Sequence, residues 1–382
     1  MKKLLSNILA SLFSLLILFV LLEVSVRLFV DESLYIFSNV SDDWVLDAEI
    51  GYKNKPDYSE IKRHKDKMVE LHTNADGLQP ASLKREKKKG VKRVMLVGNS
   101  TVFARDVPER EKIHYYLDSI LNVSDEKFEV INTGVTGYST DQSLLTLKRY
   151  IELYAPDYVG YNYCVNDLYY NTSGFFSRIS KPHYEMKNGE WVFVPGESEK
   201  SILNQNMWLP KNMIQLSALY GLLRPYIQRV RMKMSKQTEL DQGGESVFAM
   251  YKKSNEEEPL FGLLEKLMVE MKNTCDKNNA AFFVYTHPEL RAVWPPYRKA
   301  IGHENVDPFS VENKLTEIAE RNDFSFVGMV QHFMDNQEKG PFHILPNDPH
   351  CNGMGYYLQA EVISDFIRSN ERQPEIDSIT LE

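Results

Sequence analysis

The stretch "VMLVGNST", residues 94–101, sets the reading of the whole chain. Val94-Met95-Leu96-Val97 is a short apolar run without alternation, branched at Cβ at both ends. Such a run suits a strand covered on both faces, as in a parallel sheet. It stops at Gly98 and passes into Asn99-Ser100-Thr101. A serine in that place either caps the following helix or stands as a nucleophile at the carboxyl edge of a sheet, where open α/β folds put their ligands.

Downstream the pattern repeats. The spacing predicts a helix over about 111–121, with Ile113, Tyr116, Leu117, Ile120 and Leu121 on one face. "FEVINTGVTG" reads as a second strand ending in glycines. "TDQSLLTLKRYIELYAPD" reads as a helix with Thr140 or Asp141 as N-cap and Pro156 as its stop. "YVGYNYCVND" is a third strand, and "AAFFVYTHPE" a fourth, preceded by the helix-like "FGLLEKLMVEMKNT". "ENKLTEIAERNDFSFVGM" gives a helix and a fifth strand, and "GMGYYLQAEVISDFIRSN" a closing helix. Strands alternating with helices imply βαβ units and a parallel sheet covered on both faces. An insertion at about 172–260 carries a hairpin, "HYEMKNGEWVFVP", around the type I′ pair Asn188-Gly189. It continues through the amphipathic "MIQLSALYGLLRPYIQRVRMKM", helical up to Pro225, and the polar "SKQTELDQGGESV". The organisation expected is an N-terminal anchor at 1–30, a small irregular or β module at 31–90, an α/β domain at 91–370, and a C-terminal tail at 371–382.

The chain of 382 residues is 43% hydrophobic and 26% charged, ordinary for a globular domain. Lys+Arg 45 against Asp+Glu 53 gives a net charge of −8, which argues against a nucleic-acid partner. The one basic cluster, Lys84 to Lys89 with Lys92 and Arg93, lacks interleaved aromatics and reads as a solvated linker. Lys2 and Lys3 precede "LLSNILASLFSLLILFVLL", Leu4 to Leu22, and the apolar tendency runs on to Val30, broken by Glu23 and Arg27. A membrane span needs about 20 mostly apolar residues. With no A-x-A site after Leu22, an uncleaved single-pass anchor is expected rather than a signal peptide. Lys2 and Lys3 inside, with Asp31 and Glu32 beyond, direct residues 31–382 to the periplasm or the extracellular space. The three cysteines, Cys164, Cys275 and Cys351, form no C-x-x-C. Cys164 and Cys351 are either a disulfide pair or two separate buried thiols.

Chemistry-bearing residues sit at strand ends. The first strand ends at Gly98-Asn99-Ser100, the second at "INTGVTGYSTDQ", and the third at "CVND" with Asn166 and Asp167. A late loop, "LPNDPHCNGMG", carries Asp348 and His350. Parallel strands open all these ends onto one edge. A serine nucleophile needs a base, an orienting carboxylate and donors aimed at the oxyanion. Ser100, His350 and Asp348 supply the first three; the Ser100 N–H, the Gly137 N–H and the Asn166 amide supply the donors. Singly these residues are ordinary: Ser100 a cap, Asn166-Asp167 a turn, His350 a surface histidine. Their order together with the α/β alternation is not. His287 in "YTHPE" reads as a loop residue, and Tyr138 and Asp141 as helix-entry residues. No dinucleotide fingerprint, P-loop, H-E-x-x-H or G-x-S-x-G occurs.

These blocks resemble those of the SGNH (GDSL-type) hydrolases, over about residues 91–370 and in the same order. "LVGNST" matches the first block, Gly137 the oxyanion glycine, Asn166 the oxyanion asparagine, and "NDPHCNGMG" the Asp-His block. The anchor and the 31–90 module resemble membrane-attached bacterial members. The resemblance implies a flavodoxin-like three-layer α/β fold, ester or acyl chemistry through Ser100, Asp348 and His350, and no cofactor or metal. Asn99 stands where the family has Asp, and Val165 where a Gly precedes the asparagine. A three-residue Asp–His spacing would land on Asn347, so the carboxylate falls to Asp348. Gly134 is an alternative to Gly137. The expected function is an extracytoplasmic serine esterase or deacylase acting on acylated glycan or lipid esters. The alternatives are an O-acyltransferase that modifies a cell-envelope polysaccharide and a non-catalytic glycan-binding scaffold.

Overall fold

The computed structural model describes residues 2–30, 43–64, 67–123, 127–176, 179–197, 217–220, 222–223, 258–300, 306–344, 348 and 350–379. The polar "SKQTELDQGGESV", most of the amphipathic segment before it, and Asn347 lie outside the described residues. The chain divides into two units, residues 1–42 with 204–242 and residues 43–203 with 243–382.

In the first unit, α1 (Lys2–Phe29) is one unbroken helix. Its Leu9–Phe29 stretch has a mean hydropathy of 2.5 and is long and apolar enough to cross a membrane. The two charges inside Leu9–Phe29 are not left bare. Glu23 pairs with Arg27 one turn on at 2.8 Å, and accepts from Ser217 Oγ at 2.9 Å and the Ala218 N–H at 2.8 Å.

The second unit opens with two antiparallel hairpins, β1 (Trp44–Asp47) with β2 (Gly51–Asn54) and β3 (Ser59–His64) with β4 (Lys67–His72). A parallel sheet follows, built from β5 (Val91–Val97), β6 (Lys127–Asn132), β7 (Tyr158–Tyr163), β12 (Ala281–Thr286) and β13 (Ser325–Val327). Between β7 and β12 lie two small hairpins, β8 (Phe175–Phe176) with β9 (Ile179–Ser180) and β10 (His183–Lys187) with β11 (Glu190–Val194). The latter turns on Asn188 and Gly189 at φ 52° and 83°, the type I′ geometry that the sequence pair predicts.

The sheet runs β13-β12-β7-β5-β6. Numbered along the chain, that is the flavodoxin-like order 2-1-3-4-5. Val94 to Val97 are all buried, which is why the run reads apolar without alternation. The connections after β5 are α2 (Ser100–Phe103) and α3 (Ile113–Leu121), and after β6 comes α4 (Thr140–Tyr154). After β7 come α5 (Asp167–Tyr170) and, past the insertion, α6 (Glu258–Lys277). After β12 come α7 (Leu290–Val293), α8 (Pro295–Ala300) and α9 (Ser310–Arg321), and after β13, α10 (Val330–Asp335) and α11 (Gly353–Ile379). The chain moves one way from β5 to β6 and returns past β5 to reach β7. Right-handed crossovers therefore put α3 and α4 on opposite faces. Accordingly α3 packs on α11 and α4 on α6, which completes three layers.

Three details of the sequence reading are corrected. Arg93 is not solvated but fully buried. Its five N–H donors are all used, by Glu129 Oε2 and the carbonyls of Lys84, Arg85, Glu86 and Tyr154, at 2.7–2.9 Å. A guanidinium that satisfies a whole loop of carbonyls loses the penalty that keeps charges outside. The N-cap of α4 is Ser139, one residue earlier than expected, and its hydroxyl turns to Asp141 instead of to the helix N–H groups. Finally, α11 continues without a break through residues 371–379. Cys164, Cys275 and Cys351 are free, buried thiols, the second of the two cysteine readings.

The hairpins ahead of the sheet have a clear job. Trp44, Ile50 and Tyr52 share a small apolar core with Val135, Tyr138 and Ile179. Asn54 Nδ2 donates to the Gly134 carbonyl and Tyr52 OH to the Thr136 carbonyl, both at 2.9 Å. The loop after β6, which carries Gly137, is thus fixed from outside the sheet.

Candidate active site

β5 and β7 are neighbours at the point where strand order reverses, and the crevice there is where open α/β sheets bind ligands. Ser100 opens the single turn of α2 directly after β5. Asn99 caps that turn: its Oδ1 accepts from the Thr101 N–H at 2.9 Å and from Thr101 Oγ1 at 2.8 Å. The cap role weighed for Ser100 therefore belongs to Asn99, and the Ser100 hydroxyl is left for other work. It meets His350 Nε2 at 2.7 Å.

His350 Nδ1 lies 2.6 Å from Asp348 Oδ1, which also accepts the His350 backbone N–H at 2.9 Å. A carboxylate at Nδ1 holds the proton there and leaves the Nε2 lone pair facing the serine hydroxyl. Burial by itself lowers the imidazole pKa, but the hydrogen bond and charge of Asp348 outweigh it, so His350 titrates above the usual histidine value. Its side chain is 30% exposed, open to an incoming group. The loop holding the pair is closed tightly. The Asp348 N–H donates to the Ile344 carbonyl, the Ile344 N–H to the His350 carbonyl, and His343 faces Cys351 in an antiparallel bridge.

The residues expected at the oxyanion site lie on the flanking loops. Asn166 immediately precedes α5 at the end of β7. Gly137 has φ +79°, and a Cβ there would stand 2.1 Å from the Phe176 ring, so only glycine fits. Its loop is tied to the end of β5 by the Val135 N–H, which donates to the Gly98 carbonyl at 3.3 Å. Among the described residues no acceptor takes the Ser100 N–H, the Gly137 N–H or the Asn166 side-chain amide. The N–H of Gly134, by contrast, is occupied by Asn132 Oδ1 at 2.9 Å. Gly134 is needed for another reason: a Cβ there would press within 2.4 Å of the Phe103 backbone N in α2.

Behind these groups runs a buried polar chain that the linear sequence did not reveal. Asn99 Nδ2 donates to Asp167 Oδ1 at 2.8 Å, and Tyr161 OH to Asp167 Oδ2 at 2.8 Å. Burial pushes the Asp167 carboxyl up to about 7, against the pull of its donors. Thr140 Oγ1 lies 2.9 Å from the Tyr161 OH oxygen, to which it can donate, and itself accepts from Asn171 Nδ2. Lys181, fully buried, donates to Ser139 Oγ at 3.1 Å and to the carbonyls of Tyr170 and Pro182, with its Nζ 3.7 Å from Asp141 Oδ2. Burial lowers the pKa of Lys181 and raises that of Asp141. Asp141 is thus a helix-entry residue whose partner comes from the insertion. Nothing near Lys181 in sequence singles it out.

No known family profile matches the sequence, and no curated protein sequence matches it. Several solved structures are similar. One is the acetyl xylan esterase AlAXEase, 13% identical, covering 72% of this chain and 99% of that one at a TM-score of 0.40. Another is the psychrotrophic esterase EstA from Pseudoalteromonas sp., 12% identical, covering 74% and 100% at 0.38. A third is a GDSL-like lipase from Bacteroides thetaiotaomicron, 14% identical, covering 76% and 94% at 0.36. Within this chain, the strand order and the convergence of the first and last blocks are those that the resemblance to SGNH hydrolases implies.

Proposed function

We propose that the protein is a membrane-attached serine esterase or deacylase whose nucleophile is Ser100. One observation carries the reading. The hydrogen-bonded series Ser100 Oγ, His350 Nε2, His350 Nδ1, Asp348 Oδ1, with contacts of 2.7 and 2.6 Å, lies at the switch point of the sheet. In the first step His350 Nε2 takes the Ser100 proton as Oγ attacks the ester carbonyl. Asp348 holds the imidazole in register and stabilises its positive charge. The oxyanion is received by the Ser100 and Gly137 N–H groups and the Asn166 amide, donors that have no competing acceptor among the described residues. His350 then returns the proton to the departing alcohol, leaving an acyl-serine. Water, or a sugar hydroxyl in a transferase, attacks that intermediate by the reverse route.

The proposed compartment rests on the charges at the start of α1. Lys2 and Lys3 ahead of the apolar stretch hold its start in the cytoplasm, so the hydrolase unit works in the periplasm or outside the cell. Esters available there are acylated glycans and lipids, and these are the substrate class. A glycan-binding scaffold without chemistry has no use for a serine so aligned with a histidine–aspartate pair. The test is labelling of the full-length protein by a serine-reactive fluorophosphonate. Modification at Ser100, absent in Ser100→Ala, is expected, with ester turnover falling by several orders of magnitude in the variant. Equal turnover by both proteins refutes the assignment.

A further inference from the structure

Three buried side chains meet beside the Asp348–His350 loop without having a part in the chemistry proposed above. His287 follows β12 and is 4% exposed, its backbone N–H held by the Tyr163 carbonyl at 2.9 Å. His343 starts the loop and Cys351 ends it, at 2% and 0% exposure. One ligand atom from each of the three lies within 4.8 Å of the others. The two imidazole rings meet edge to face with centroids 5.9 Å apart.

The hydrogen bonds at two of these side chains, His343 and Cys351, suit metal ligands. His343 donates its Nε2–H to the Pro288 carbonyl at 2.7 Å, which fixes the tautomer. Nδ1 is then the lone-pair nitrogen, and it is buried with no partner among the described residues. An imidazole whose far N–H is held by a backbone carbonyl is the usual outer arrangement of a metal-bound histidine. Gln359 Nε2 donates to Cys351 Sγ at 3.3 Å, support that a thiolate uses better than a thiol.

We infer that His287, His343 and Cys351 form a structural site for a thiophilic divalent cation, with Zn(II) the best match. Two imidazoles and one thiolate suit zinc and not the oxygen-seeking Mg(II) or Ca(II). Bonds of about 2.0–2.3 Å bring tetrahedral ligand atoms to roughly 3.3–3.8 Å apart, so the cluster closes by about an ångström on binding. Each ion that binds displaces the Cys351 thiol proton to solvent and forms a Zn–S bond, with no change in oxidation state. The consequence is mechanical. The ion clamps both ends of the loop carrying Asp348 and His350 to the end of β12. Zinc binding itself does not depend on the esterase reading; only this positioning role does.

The experiment uses the untagged full-length protein in detergent, stripped with a chelator and titrated with Zn(II) against a chromophoric competitor. Expected results are one ion per chain, a higher unfolding temperature with zinc, and release of about one proton per ion near neutral pH. Cys351→Ser and His343→Gln each weaken zinc binding at least tenfold, whereas Ser100→Ala leaves it unchanged. Co(II) in the unmodified protein gives a thiolate-to-metal charge-transfer band that Cys351→Ser abolishes, a readout that does not need the histidine variant to fold. Failure of the unmodified chain to bind zinc stoichiometrically overturns the inference. So does binding that survives both substitutions. Fluorophosphonate labelling of Ser100, measured on the same samples, reports the esterase reading separately.

Discussion

Asn99 and Asp167 form a pair whose chemistry makes a pH-resolved prediction. The perturbation is Asn99→Asp, which restores the acid that SGNH hydrolases resembling this chain carry at this point. Asp caps a helix as well as Asn, so the turn that presents Ser100 is kept. What changes is the contact behind it. Asn99 Nδ2 now donates to Asp167 Oδ1 at 2.8 Å. The substitution sets two carboxylate oxygens at that distance, and they stay together only while one holds a proton. Already in the native chain, burial raises Asp167 from 3.8 to about 7. At about 1.4 kcal/mol per tenfold, this makes roughly 4 kcal/mol of stability that is complete below pH ~4 and lost as pH climbs through the folded value. In the variant below pH ~6, protonated Asp167 donates to the new carboxylate and the bond survives in reverse. Above pH ~8 the charged donor bond, worth about 1.5–3 kcal/mol, is gone, and repulsion adds to the loss. Urea unfolding of the detergent-solubilised full chain, followed by tryptophan fluorescence, should therefore place the variant within about 1 kcal/mol of native at pH 5.5. At pH 8.5 it should lie about 3 kcal/mol below, equivalent to roughly 6–12 °C in Tm. An equal offset at both pH values, or a larger one in acid, refutes the reasoning.

Four further outcomes are expected. Asn166→Ala lowers kcat by roughly 10²–10³ with KM little changed, the penalty for one lost oxyanion donor; steady-state kinetics that show a change in KM alone make Asn166 a substrate-binding residue instead. Gly137→Ala forces a side chain into φ +79° and into the Phe176 ring, and costs activity together with about 1–3 kcal/mol in thermal unfolding; an unchanged melting curve with full activity contradicts that packing. Arg93→Met strands the carbonyls of Lys84, Arg85, Glu86 and Tyr154 and destabilises by about 3 kcal/mol or more in chemical denaturation. A reporter fused after Glu382 that works only outside the cytoplasm should be active, and activity of a cytoplasm-only reporter reverses the topology.

The sheet was legible because its signals are local. Apolar runs such as Val94–Val97, glycines after β5, β6 and β13, and helical spacing between the strands are set by neighbours a few residues apart, and each strand falls where those patterns put it. The type I′ hairpin at Asn188-Gly189 was legible for the same reason, since both residues must adopt positive φ. Cap positions and charges were less so. The cap of α4 lies at Ser139 because Asp141 is drawn into the interior by Lys181, 40 residues later in the chain. Arg93 looked like one more residue of a basic linker, and nothing in the run of lysines distinguishes the guanidinium that a ring of carbonyls takes inside.

By itself, then, the sequence determined the layer order of the fold, the strand that leads to Ser100, and the four blocks on which the proposed chemistry rests. These depend on periodicity and on residue types at short spacing. Only the tertiary structure decided how the blocks engage. Two glycines after β6 suit an oxyanion donor by sequence, and the Gly134 N–H is spent on Asn132 Oδ1, which leaves Gly137 as the proposed donor. Ser100 and His350 are separated by 250 residues and meet at 2.7 Å because parallel strands open on one edge and the last loop folds back over it. The Asp167 chain, Lys181, and the cluster of His287, His343 and Cys351 likewise exist only once the sheet has closed. Burial then decides their charge, and burial is a property of the packed molecule that no single stretch of the chain contains.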